Sequence, residues 1–127
     1  MNDLAPIVLF TYKRLPILKK VIDSLLANRE CQFSTLIIYS DGPKTDDDIP
    51  AVNEVRIYLG SIEGFKKIEY IFRDSNFGLA KSFIEGISET FINHEKAIFL
   101  EDDNLISEHF LRFMNQALIE YKDNQKV

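Results

Sequence analysis

One cysteine, Cys31, stands in 127 residues. An intramolecular disulfide and a cysteine-rich metal site are therefore excluded, and the thiol reads as a small apolar core residue suited to a reducing compartment. A basic excess is also missing: 15 Lys and Arg face 20 Asp and Glu, for a formal charge of -5. That balance argues against nucleic acid or an anionic membrane as partner, although local basic residues can still meet a phosphate. No apolar run is long enough for a transmembrane segment, and charge arrives too early in "MNDLAPIVLFTYKR" for a secretion signal. A cytoplasmic location is expected, with peripheral membrane association left open for a longer protein. The two histidines, His94 and His109, lack H-x-x-x-H spacing and are expected on helix ends or the surface. Glycine-rich phosphate cradles are absent too. No G-x-x-x-x-G-K-[ST] follows an apolar run and no G-x-G-x-x-G opens a helical one, which disfavours a P-loop or an ordinary dinucleotide site.

What the chain does contain is a rhythm. Four times an apolar run is followed by a loop and a helix-like stretch: "PIVLFTY", "STLIIYSD", "KIEYIFRD" and "KAIFLEDD". These runs are short, rich in Ile, Phe, Tyr and Leu, and continuous, so they read as buried parallel strands. Between them Leu15, Leu18, Ile22, Leu25 and Leu26 recur at helical spacing, with Pro16 suited to a first turn. Val52, Val55, Ile57 and Leu59 form a less regular second helix. Leu79, Phe83, Ile84, Ile87, Phe91 and Ile92 form a third stripe, and Phe110, Leu111, Met114 and Leu118 a fourth. All four stripes are expected to be core. "EYKDNQKV" closes the chain as a polar tail with no further strand. Strands alternating with helices imply right-handed crossovers, hence an α/β fold with a parallel-core sheet and helices on both faces. Residues 1–127 suffice for a single domain.

In an open α/β sheet, ligands collect beyond the carboxyl ends of the strands. Here those ends carry Thr11, Tyr12, Lys13 and Arg14, then Asp41 and Gly42, then Arg73, Asp74, Asn76 and Gly78, and finally Glu101, Asp102 and Asp103. Three adjacent carboxylates after an apolar run repel one another and lose hydration, so a compensating charge is called for. Without a glycine-rich cradle a bound diphosphate would need a cation, and Mg2+ or Mn2+ is commonly held by one or two carboxylates plus phosphate oxygens. A second acidic run, "TDDDI" at 45–49, stands at a helix start and reads as capping rather than metal binding.

Taken in order, "PIVLFTYKR", "YSDG", "RDSNFGLAKSFIEGI" and "FLEDDNLISEHFLRFMNQAL" resemble the nucleotide-binding half of a GT-A-fold glycosyltransferase of the family-2-like group, over nearly the whole chain. That fold is Rossmann-like. The family's metal motif is usually D-x-D on a strand end, and here it is Glu-Asp-Asp, a variant seen in N-acetylglucosaminyltransferases. The resemblance implies a nucleotide-diphosphate sugar, a UDP-sugar, as donor, an acceptor hydroxyl compound, and Mn2+ or Mg2+ as cofactor. It makes Asp103 the principal metal ligand, with Glu101 and Asp102 facing the ribose, the sugar or the metal's water shell. Asp41 would accept a hydrogen bond from the nucleobase, and Thr11 and Arg14 would lie along the nucleoside and diphosphate. Asn76, Gly78 and Lys81 match the family's N-x-G-x-x-x turn beside the diphosphate and donor sugar.

Elementary chemistry agrees with these roles: a carboxylate can accept a uracil imide N–H, glycine permits close backbone approach, and Arg14 and Lys81 can offset diphosphate charge. Each residue also has a plainer reading. Asp41-Gly42 and Asn76–Gly78 could be only turns, and Arg14 and Lys81 only solvated charges. The resemblance further implies inversion by direct displacement, with a general base in an acceptor-binding half beyond the metal motif. No such base can be assigned within 1–127, so the chain is expected to be the N-terminal part of a longer enzyme, inactive alone. Three alternatives stay open: a sugar nucleotidyltransferase, whose basic glycine-rich loop is missing from "FTYKRLP"; a phospho-acceptor receiver domain, whose acidic residues would follow the first and third strands; and a noncatalytic nucleotide-binding module.

Overall fold

The computed structural model describes residues 4–123. The strands are β1 (Ile7–Thr11), β2 (Thr35–Ser40), β3 (Lys67–Phe72) and β4 (Ile98–Glu101). The helices are α1 (Leu15–Leu26), α2 (Ile49–Leu59), α3 (Leu79–Asn93) and α4 (Phe110–Asp123), with short 3-10 turns at Arg29–Phe33 and Asp46–Asp48. All four strands run parallel in the order β3-β2-β1-β4. This order follows from crossover handedness. The steps from β1 to β2 to β3 go one way along the sheet and put α1 and α2 on one face; the return to β4 on the far side of β1 puts α3 on the other.

Alternation along each strand sorts side chains between the faces. Ile7, Leu9, Leu36, Ile38, Ile98 and Leu100 meet Leu18, Val21, Ile22 and Leu25 of α1, Val55 and Leu59 of α2, and Leu111 of α4. Val8, Phe10, Ile37 and Tyr39 form a smaller layer on the opposite face, against Phe83 of α3 with Ile71 and Phe99. Two buried asparagines fasten α4. Asn28 donates to the carbonyls of Ser24 and Ser107 and accepts the Leu111 N–H at 3.0 Å, while Asn115 accepts the Ala5 N–H at 2.8 Å.

Leu15, Leu18, Ile22 and Leu25 of α1, the stripe of α4 and the Val52, Val55 and Leu59 line of α2 pack as their spacing predicts, with Pro16 in the first turn of α1, whereas Leu26 at the end of α1 is exposed. Ile57 departs from that pattern and points to solvent. The larger correction concerns α3. Leu79, Ile84, Phe91 and Ile92 are exposed, and the line facing the sheet is Ser82, Gly86 and Thr90. The helix lies so close to the Phe10 ring that a Cβ at Gly86 would stand 2.5 Å from it, so small residues form the contact and bulky ones are turned outward. Phe83 reaches around to stack on Phe10 with centroids 4.4 Å apart. The expectation of four buried strands also holds unevenly. β1 is buried throughout and β2 nearly so, whereas β3, paired on one side only, exposes Lys67, Tyr70 and Phe72, and β4 is half-buried at Phe99 and Glu101.

Cys31 is buried, its thiol donating to the Leu25 carbonyl, and burial pushes its pKa up to about 12. No helix among the described residues is long and apolar enough to cross a membrane. Within the polar tail α4 continues to Asp123; positions 124–127 lie outside the described residues.

Candidate functional site

The chain turns opposite ways from β1, towards β2 and later to β4, and the gap this opens at the carboxyl ends of the strands is where α/β sheets bind ligands. A cavity of about 280 Å³ occupies it. Phe10, Thr11, Tyr12 and Arg14 line it from β1, Glu101, Asp102 and Asp103 from β4, and Asp41 and Lys44 from the segment after β2. Asn76, Gly78, Leu79 and Ser82 close it from the loop and first turn of α3.

Asp41 is the most heavily bonded side chain in this wall. Its Oδ1 accepts the N–H groups of Gly42 at 2.9 Å and Phe77 at 2.8 Å. Its Oδ2 accepts the Gly78 N–H at 3.1 Å and Asn76 Nδ2 at 3.2 Å. A carboxylate offers about four acceptor positions, so these donors fill it. The latch requires the two segments to touch: a Cβ on Gly42 would lie 2.6 Å from the backbone of Ser75, and only glycine fits. Gly78 is needed for another reason than the close approach its motif suggests. Nothing lies within 4 Å of where its Cβ would be, but its φ of 80° is in the left-handed region that side chains disfavour.

Two arginines brace the latch from behind. Arg56 of α2 donates to Ser40 Oγ at 2.9 Å and to the carbonyls of Ser40, Asp41 and Arg73, tying the ends of β2 and β3 together. Arg73 stacks between the rings of Tyr39 and Phe77, at 5.2 and 4.6 Å, and pairs with Glu89 at 2.8 Å. On the opposite wall, Tyr12 Oη donates to Asp48 at 2.8 Å and accepts the Lys44 N–H at 2.9 Å. Lys13 pairs with the same Asp48 carboxylate at 2.9 Å. Asp48 therefore fastens the loop after β2 to the end of β1 and makes no side-chain cap on α2, contrary to the capping expected of "TDDDI". Hydrogen bonds from Lys13 and then Tyr12 lower the Asp48 pKa.

The acidic triplet leaves β4 in a tight turn. Asn104 Oδ1 accepts the Glu101 N–H at 2.7 Å, and the Asn104 N–H returns to the Glu101 carbonyl. Asp102 is buried, accepting the Tyr12 N–H at 3.3 Å and Arg14 Nη2 at 3.0 Å. Asp103 is half-exposed, with the same Arg14 nitrogen at 3.8 Å. One cationic group thus already rests between the two carboxylates, and their hard oxygens suit Mg2+ or Mn2+. Among the described residues no three His, Cys, Asp or Glu side chains gather into a metal cage. The arrangement fits an ion that keeps its waters and takes further ligands from a phosphate, not one held by protein alone.

Of the residues singled out from sequence, Thr11, Arg14, Asp41, Asn76, Gly78, Glu101, Asp102 and Asp103 meet in this one cavity. The Thr11 hydroxyl donates to the Tyr39 carbonyl at 3.1 Å, so its proton is already committed. Lys81 does not line the cavity; its Nζ lies over the Phe77 ring at 4.6 Å. Its helical position one turn into α3 turns it outward. Tyr12 also lines the cavity, as its place beside Thr11 at a strand end allows, although the sequence gives it no role, whereas Lys44 and Ser82 enter only through the fold.

Sheet order, crossover pattern and a polar pocket at the switch point define an α/β domain with a parallel sheet and a cleft at its carboxyl edge. Residues 7–124 match the family described as Glycosyl transferase family 2, and the chain belongs to that family. Its fold is shared with a crystal structure of S. aureus TarS, at 14% identity and a TM-score of 0.63, over 94% of this chain. The match covers 20% of the TarS chain, so the present chain spans about a fifth of that protein's length. No curated protein matches the sequence.

Proposed function

We propose that the cavity binds the nucleotide diphosphate of a sugar donor, a UDP-sugar, together with Mn2+ or Mg2+, and that the chain serves transfer of the sugar to an acceptor hydroxyl with inversion. The observation that carries this reading is the charge of the cavity wall. Four carboxylates, Asp41, Glu101, Asp102 and Asp103, face two cations, Arg14 and Lys44. A diphosphate would be repelled by that surplus unless a divalent ion joined it. Such a metal supplies Lewis-acid stabilisation of charge on the leaving diphosphate.

In this reading Asp103, the exposed member of the pair, holds the metal, and buried Asp102 is oriented by the Tyr12 N–H to support it. The first turn of α3 adds the partial positive charge of a helix N-terminus beside the anion. Tyr12 and Thr11 border the nucleoside. Asp41 acts chiefly by holding loop 76–78 against the pocket. A uracil imide could reach its carboxylate only by displacing a donor, and Asn76, with the longest of the four contacts, is the one to yield. No side chain described above is placed as general base.

Calorimetry of UDP in the presence of Mn2+ and of EDTA tests the reading. Binding is expected with metal and much weakened in chelator. Equal affinity in both would remove the metal from the site, and absence of UDP binding in both would remove the donor. Failure of the chain to transfer sugar while it binds UDP and metal is the expected outcome for a donor-binding part.

A further inference from the structure

Asp102 and Asp103 already share a cation that belongs to the protein. Arg14 Nη2 lies 3.0 Å from Asp102 Oδ1 and 3.8 Å from Asp103 Oδ2. A divalent ion approaching the same carboxylates meets the repulsion of this positive charge. Among the described residues, moreover, no three His, Cys, Asp or Glu side chains gather closely enough to make a shell. Metal alone is thus opposed twice, by a resident guanidinium and by a shortage of ligands.

The Arg14 side chain is itself 58% exposed. Its backbone is fixed at the start of α1, where the Arg14 carbonyl accepts the Leu18 N–H, but its long stem leaves the guanidinium free to turn in the cavity mouth. A guanidinium forks onto phosphate as well as onto carboxylate. A diphosphate entering the cavity would offer Arg14 a new partner and offer the metal the oxygens the protein lacks.

Resting on the donor-site reading, we propose that Arg14 is an exchangeable counter-ion: it pairs with Asp102 and lies beside Asp103 while the cavity is empty, passes to the diphosphate when nucleotide arrives, and so makes divalent metal binding conditional on nucleotide. By linkage the metal strengthens nucleotide binding by the same factor. Asp102, the buried member, keeps a compensating charge at every stage, first Arg14 and then the metal, and is never left buried and unpaired.

Mn2+ binding to the 127-residue chain, followed by the electron-spin resonance of the free ion, tests this with and without UDP, in the wild type and in Arg14→Gln and Arg14→Met. The wild type is expected to take up Mn2+ weakly alone and about tenfold or more tightly with saturating UDP, within the usual range of coupled sites. Both neutral variants are expected to bind Mn2+ alone about tenfold more tightly than the wild type, the same order of coupling, and to bind UDP more weakly in EDTA. Unchanged or weakened Mn2+ binding in a variant that melts like the wild type overturns the exchange. If one variant fails to fold the other decides, and loss of folding in both would make Arg14 a structural residue and overturn the proposal as well. A wild type that binds UDP with Mn2+ while the variants gain no metal affinity defeats the exchange alone. A wild type that binds no UDP under any condition defeats the donor-site reading beneath it.

Discussion

The Asp41 carboxylate and the Phe77 backbone N–H meet at 2.8 Å, joining the end of β2 to the loop that enters α3. Gly42, Asn76 and Gly78 supply three more donors to the same carboxylate. Hydrogen bonds to a charged group contribute more than neutral ones, and removal of the acceptor leaves its donors to find water or go unpaired. Asp41→Ala is therefore expected to lower stability by about 2 kcal/mol, in addition to weakening UDP binding. Asp41→Asn keeps one acceptor oxygen and should lose less. Thermal melting checks this, and an unchanged midpoint in Asp41→Ala would show that the latch contributes nothing to the fold.

Gly86 makes the opposite kind of contact, a backbone laid against a ring. Alanine is the better helix former by about 1 kcal/mol, so propensity alone favours Gly86→Ala. The added Cβ would fall 2.5 and 2.6 Å from two Phe10 ring atoms, and that ring is buried and stacked between Tyr39 and Phe83. Overpacking a filled core costs about 1–3 kcal/mol, which outweighs the gain. Gly86→Ala is expected to melt at lower temperature than the wild type. A rise in the midpoint would mean that Phe10 and α3 move apart without cost.

Those two contacts also mark what could be read from residues alone. Continuous apolar runs made β1 and β2 legible, and the 3.6-residue spacing of Leu18, Ile22 and Leu25 made α1 so, because burial there is achieved by bulk. The packing of α3 is not legible in this way, because it packs through Ser82, Gly86 and Thr90, which carry no hydrophobic signal, while Leu79, Ile84, Phe91 and Ile92 are exposed. At the site, polar residues at strand ends line one cavity. Their partners were hidden: Asp41 and Phe77 are 36 positions apart, Arg14 and Asp102 are 88, and no local spacing announces either pair. Arg56 and Arg73 were invisible as braces for the same reason, since their roles exist only once β2 and β3 lie side by side.

The knot of Tyr12, Lys13, Lys44 and Asp48 gives a pH dependence whose sign can be worked out. Hydrogen bonds from Lys13 and Tyr12 depress the Asp48 pKa, so its stabilisation is complete above the ordinary aspartate value of 3.8 and is lost as pH falls through the lower folded value. Burial and the hydrogen bond to Asp48 raise the Tyr12 pKa, so the phenol's contribution is complete below the ordinary value of 10.0 and declines as pH rises beyond it. Lys13, raised by its bond to Asp48, behaves likewise above 10.5. Order in the loop after β2 should therefore be flat through neutral pH and fall at both extremes. The Lys44 N–H, which donates to Tyr12 Oη, is the direct reporter. Its resonance and exchange protection are expected to hold between these limits in the wild type. Asp48→Asn should remove the acid limb, and Tyr12→Phe should remove Lys44 protection at every pH while leaving the sheet intact. A Lys44 N–H equally protected in Tyr12→Phe would show that the loop is held by something other than this phenol.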